Sequence, residues 1–209
     1  MLDLFQAFFW SLTYVLLIVY ANKFNTHGIP LISICLNFAW ESVALFQSIV
    51  TKNFSVGFVI HTAWFLLDFL IVTLFLLFEQ SNEKRNISKI IFSICYACAI
   101  VTFYILFKNG YMLLLCFTID LIMAIDFLAF ILKNKVKKHK LSYAIAIFKL
   151  LGDFCAWLYY KDSFLINPIG ITVLICNILY LLILIKQGRY KNNPILNNTI
   201  TVAIEEASK

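Results

Sequence analysis

Apolar residues run along this chain in long blocks separated by short polar breaks, and the blocks have the length of membrane spans. Runs over roughly 4–20, 29–50, 57–78, 89–107, 110–132, 141–160 and 164–185 each come near the ~20 residues that an α-helix needs to cross a ~30 Å hydrocarbon core. The pattern predicts an all-α integral membrane bundle of seven transmembrane helices with short loops. Residues 1–186 form the transmembrane domain, and 187–209, which lack apolar periodicity and carry Glu205 and Glu206, form a cytoplasmic C-terminal tail. Pro30 and Pro168 fall near helix starts, where a missing N–H costs nothing.

Charge then orients the bundle. With the N-terminus outside, the inner loops and tail receive Lys23, the Lys84, Arg85 and Lys89 group, the run Lys133, Lys135, Lys137, Lys138 and Lys140, and Lys186, Arg189, Lys191 and Lys209. Only Lys52, Lys108 and Lys161 stay outside, so the positive-inside rule gives N-out, C-in. The net charge of +6 is therefore topological and calls for no nucleic-acid partner. Composition agrees: 62% of the 209 residues are hydrophobic and 13% charged, outside the range of soluble domains. The first apolar run follows Asp3 with no basic region and no clear cleavage site, so it reads as a span and not as a signal peptide. All six cysteines lie in apolar runs and read as small apolar fillers; Cys95 and Cys98 form a Cys-x-x-Cys without a redox-fold context. Asn-x-Ser/Thr triplets begin at Asn53, Asn86 and Asn197, and only the first would face outside.

The chemistry-bearing feature is a set of ionisable groups inside the spans. Glu41, Asp68, Asp120 and Asp153 each fall about 10–12 residues from a span end, close to the bilayer midplane at ~1.5 Å per residue. Four carboxyls from four helices at one depth point to a site in the bundle interior. Asp126, rotated about 120° from Asp120 on a 3.6-residue helix, falls nearer the inner surface and reads as a packing residue or a partner for a basic loop. Asn37 and Glu41 share a helix face with Trp40 beside them; His61, Trp64 and Asp68 share a face of the third span, as do Lys149, Asp153 and Trp157 of the sixth. Four of these positions have plain structural readings. Lys149 and Asp153 can neutralise each other, His61 can sit at the interface, and Asp120 can bond a neighbouring helix. Glu41 has no basic residue within one turn of its own helix.

A carboxyl buried without a cation keeps its proton near neutrality and can act as an acid. Inside an aromatic-walled, dry chamber such an acid can protonate an alkene or epoxide, and ring faces then hold the carbocation without quenching it. At this point the segment Asn37-Phe38-Ala39-Trp40-Glu41, in the second of seven short-looped helices, resembles the signature of the small membrane-bound terpene cyclases of fungal meroterpenoid and indole-diterpene pathways and of some bacteria. The resemblance implies an enzyme that cyclises a polyprenyl or prenylated aromatic substrate within the lipid bilayer by protonation, without metal or cofactor, in a bacterial inner membrane or the endoplasmic reticulum membrane. It assigns the acid to Glu41, with Asn37 and Trp40 as its local motif. The family pattern adds an acidic residue in the last helix shortly before a Tyr, where this chain reads Cys176-Asn177-Ile178-Leu179-Tyr180. An amide is no acid, so either Asp153, Asp68 or Asp120 supplies the second carboxyl, or the protein keeps the scaffold and runs a changed reaction. Trp64, Trp157, Asn177 and Tyr180 join Asn37 and Trp40 as candidate substrate-binding residues.

Three other readings remain open on the residues alone. A small-solute transporter of three-plus-one-plus-three helices could bind substrate through Asn37, Asn177 and Trp157 at the midplane. A retinal photoreceptor needs a Schiff-base lysine, and the seventh span has none. A structural or accessory membrane protein needs no pocket.

Overall fold

The computed structural model describes residues 2–25, 29–78, 82–133 and 143–191. They form seven helices and, among the described residues, no strand: α1 (Leu2–Phe24), α2 (Leu31–Val50), α3 (Val56–Leu77), α4 (Asn82–Lys108), α5 (Met112–Lys133), α6 (Tyr143–Tyr160) and α7 (Ile166–Lys191). Each matches one apolar block of the sequence. Six are long and apolar enough to cross a membrane; α6, with 18 residues that include Lys149 and Asp153, is not among them. The basic loop residues Lys135, Lys137, Lys138 and Lys140, the Asn197 triplet, Lys209 and the rest of the expected tail beyond Lys191 lie outside the described residues.

Going round the bundle, α1 packs on α6, α6 on α7, α7 on α5, α5 on α4, α4 on α3 and α3 back on α1. Helix α2 packs against α3, α4 and α5 and has the largest buried share of the six candidate spans. The exterior carries large apolar side chains, among them Phe8, Val19, Phe46, Leu66, Ile94 and Leu182, as expected of a surface that meets acyl chains. Cys95 and Cys98 lie on this exposed surface, so the reading of all six cysteines as fillers holds for buried Cys35 and Cys155 and not for this pair.

Local chemistry fixes the helix ends. Both α2 and α4 stop in a Schellman arrangement: the residue in left-handed conformation is Lys52 (φ 54°) after α2 and Gly110 (φ 82°) after α4. In each, paired backbone bonds close the turn, Asn53 N to Ser48 O at 2.9 Å and Tyr111 N to Leu106 O at 3.0 Å. The start of α2 is held from across the bundle. Ser33, in its first turn, gives its N–H (3.2 Å) and its hydroxyl (2.9 Å) to Asp126 Oδ2 of α5, satisfying a donor that the helix itself leaves free. Asp126 is thus the packing residue that its position suggested. Gly152 lets α6 approach α1: a Cβ there would come within 2.7 Å of Trp10 Cδ1. That close approach seats Trp10 in the bundle interior, where it is 7% exposed.

Candidate active site

Helix α2 presents Ser33, Asn37 and Glu41 at successive turns of one face, all buried. Glu41 is 1% exposed, yet it has a partner: Oε2 lies 2.7 Å from His61 Nδ1 of α3. The expectation of an interfacial His61 is half met, since its side chain remains 20% exposed while its ring reaches inward to the acid. The partner absent from Glu41's own helix comes from the next one. Trp40 and Trp64 stand edge-on to the imidazole, with centroids 6.4 and 5.9 Å away.

One turn below, Asn37 Nδ2 donates to Tyr14 Oη at 2.6 Å and to Asp68 Oδ2 at 2.7 Å, linking α1, α2 and α3 through one amide. Trp64 Nε1 donates to Ser11 Oγ at 3.0 Å, which fixes the indole against α1. Between these helices and α5 lies a cavity lined by Gln6, Trp10, Tyr14, Asn37, Trp40, Glu41, Trp64, Cys116, Ile119 and Asp120. Two carboxyls, Glu41 and Asp120, therefore share one aromatic-walled space. Asp120 is buried, makes no hydrogen bond among the described residues, and stands in the fields of Glu41, Lys149 and Asp153. The space is small: its ≈ 30 Å³ hold about two waters. A second cavity of ≈ 30 Å³ shares Trp10, Tyr14 and Asn37 with the first and continues past Asp68, Ile71 and Phe127. A third, smaller and apolar, shares Leu17, Ile29, Ile34 and Ile71 with the second and reaches Phe75.

The fourth carboxyl belongs to another unit. Asp153 Oδ2 accepts from Lys149 Nζ at 2.7 Å and from Asn177 Nδ2 at 2.6 Å, while Asn177 Oδ1 accepts from Lys149 Nζ at 3.1 Å. All three side chains are buried, and Lys149 Nζ also stands 5.1 Å over the Trp10 ring. Asp153 Oδ1 has no hydrogen-bond partner among the described residues. This triad ties α6 to α7.

The structure thus gathers Asn37, Trp40, Glu41, Trp64 and Asp120 round one space, with Asp68 behind Asn37. Trp157 and Tyr180 line none of these cavities. Trp157 donates to Asn167 at 2.9 Å and packs over Gly170, and Tyr180 is buried against Phe127 with its hydroxyl unpaired among the described residues. Sequence reasoning passed over Gln6, Trp10 and Tyr14, which supply the α1 wall. Their signal was a four-residue spacing that puts a polar and two amphipathic aromatic side chains on one face.

A bundle of apolar helices enclosing acids and indoles fits a membrane enzyme acting on an apolar substrate, and comparison with known proteins agrees. A family model of the Pyr4-like transmembrane terpene cyclases matches residues 1–161, and the chain belongs to that family. It is an integral membrane protein of the transmembrane terpene cyclase class, and that class implies a polyprenyl substrate and a lipid environment. No curated protein and no solved structure matches the chain.

Proposed function

We propose that this protein cyclises a polyprenyl chain, free or attached to an aromatic unit, by protonating a terminal alkene or epoxide from Glu41. The supporting observation is the placement of Glu41: almost fully buried, lining a cavity walled by Trp10, Tyr14, Trp40 and Trp64, with Asp120 on the same cavity. His61 holds Oε2, which leaves Oε1 as the oxygen available to the cavity. Proton delivery from Oε1 makes a carbocation or opens the epoxide, and the indole and phenol faces stabilise the cation by cation–π attraction, on the order of 2 kcal/mol per desolvated ring. Asp120, the other carboxyl on the cavity, takes the final proton when it is in its ionised form and returns it to water after product release. Asn37, Asp68 and Tyr14 hold the floor of the cavity, and the row of small cavities along α1 receives the prenyl tail as side chains give way. Binding displaces the water that the cavity can hold and protects the cation.

In this reading all seven helices span the bilayer, N-out and C-in, with the polar triad of α6 turned inward to α7. Family membership favours this chemistry over the transporter reading. The test is cyclisation of a synthetic farnesylated phenol bearing a terminal epoxide by membranes containing the protein. Wild type yields cyclic product, and Glu41→Gln, which keeps the size and loses the proton, yields none. Product formation by Glu41→Gln at the wild-type rate refutes the assignment.

A further inference from the structure

An acid that gives its proton to a substrate must be reloaded whenever a different base takes the final proton. While substrate or product fills the cavity, the cavity side offers Glu41 no water to do this. Glu41, however, is bonded on its other side to a ring that is both titratable and partly exposed. We infer that His61 is a proton relay that reloads Glu41 from the aqueous surface at the α2–α3 end of the bundle; the inference rests on Glu41 being the acid.

Three observations carry it. The Nδ1 to Oε2 distance of 2.7 Å is a proton-transfer contact. Accessibility at the protein surface rises along the pair, from 2% for the Glu41 side chain to 20% for that of His61. Depth falls along it too: Glu41 lies roughly 14 Å from the end of α2, His61 roughly 8 Å from the start of α3. His61 is not among the cavity-lining residues, so water that reaches its outer edge need not enter the cavity. Trp40 and Trp64 both stand edge-on to the ring and both line the cavity.

The protons balance over one cycle. At rest Nδ1–H donates to Oε2 and the acid proton sits on Oε1. After Oε1 protonates the substrate, water protonates the outer nitrogen Nε2, and Nδ1 passes its proton to Oε2. Rotation of the carboxyl carries that proton to the cavity side and turns the bare oxygen to the ring, and exchange with water at the ring's outer edge shifts the N–H from Nε2 back to Nδ1, restoring the resting pair. One proton enters through His61, and the proton that quenching leaves on Asp120 passes to the water that refills the cavity once the product has left. His61 touches no substrate and acts through Glu41, which makes it a positioning and relay residue.

The experiment tracks hydrogen exchange of the Glu41 carboxyl by infrared spectroscopy after the full-length protein in lipid is moved into D2O, the band being assigned by its loss in Glu41→Gln. In His61→Phe the exchange slows by about tenfold or more, and millimolar imidazole restores it. His61→Gln, which keeps a hydrogen bond to Glu41 but cannot relay, slows in the same way and covers the case of a Phe variant that misfolds. On the epoxide probe, His61→Gln, which keeps a hydrogen bond to Oε2, loses on the order of 10²-fold more rate in later turnovers than in the first. Unchanged exchange in both variants overturns the relay, as does a first turnover slowed as much as the later ones with no rescue by imidazole. A wild type that exchanges through His61 and never cyclises the probe instead refutes the cyclase reading and leaves the relay standing.

Discussion

Glu41 and Asp153 are two nearly inaccessible carboxyls, each 2.7 Å from a basic nitrogen, and they are built for opposite ends. Asp153 faces an ammonium on its own helix and an amide from α7, in a closed set of three mutual bonds. A lysine so placed holds its charge and its partner's together, and such a unit locks two helices. Glu41 faces an imidazole from the next helix, a ring that can take a proton on one nitrogen and give one from the other, and one of its oxygens is left to a cavity. Fixed pairing makes a strut; a titratable partner makes a transferable proton.

The largest effect is expected on the strut. Lys149→Ala strands Asp153 as an unpaired buried charge and should lower stability by about 3–5 kcal/mol, read as thermal unfolding in detergent. Lys149→Met with Asp153→Leu removes both charges and should recover most of that loss, although Asn177 keeps its amide unpaired. Equal destabilisation by the single and double variants would mean that the pair is not a mutual neutralisation. A pairing of Asp120→Asn with Asp153→Asn comes next. The first should cut turnover by about 10²-fold at unchanged stability, the second should reduce stability and leave the remaining folded fraction active. The reverse outcome would move the base from α5 to α6.

Smaller effects test the floor and the frame. Asn37→Leu leaves Tyr14 Oη and Asp68 Oδ2 without their shared donor, at about 1–3 kcal/mol. Turnover should fall as well, since the wall that Tyr14 supplies loosens; a variant of wild-type stability would mean that those two groups find another donor. Ser33→Ala should cost about 1 kcal/mol, the hydroxyl half of the bond that holds Asp126 at the start of α2, and should leave turnover untouched. Lost cyclisation in that variant would extend the site to the opposite end of α2.

Much of the fold was legible in the residues because bilayers impose a coarse grammar. Seven apolar blocks became seven helices, and the depth of Glu41, Asp68, Asp120 and Asp153 marked the interior, since a carboxyl cannot face acyl chains cheaply. The Asn37-to-Glu41 segment carried the family. Depth along a helix comes from counting; what meets across the bundle does not. Nothing in the spacing told that His61 would reach Glu41 from α3, that Asn177 would close the Lys149–Asp153 pair, or that Trp157 would turn to Asn167. Those outcomes depend on helix rotation and on approaches such as that of α6 to α1 at Gly152. The α1 wall was hidden for a related reason: Gln6, Trp10 and Tyr14 bear no charge, and in a chain with 21 Phe and 10 Tyr an aromatic face is no signal by itself.

The most direct measurement is the infrared difference spectrum of wild type minus Glu41→Gln at neutral pH in lipid. A carboxylic-acid C=O band that vanishes with the substitution, at a position characteristic of an apolar hydrogen-bonded site, is the result expected of a stored proton. A difference spectrum holding carboxylate bands alone would mean that Glu41 rests ionised against an imidazolium, and the proton source proposed for this cyclase would be gone.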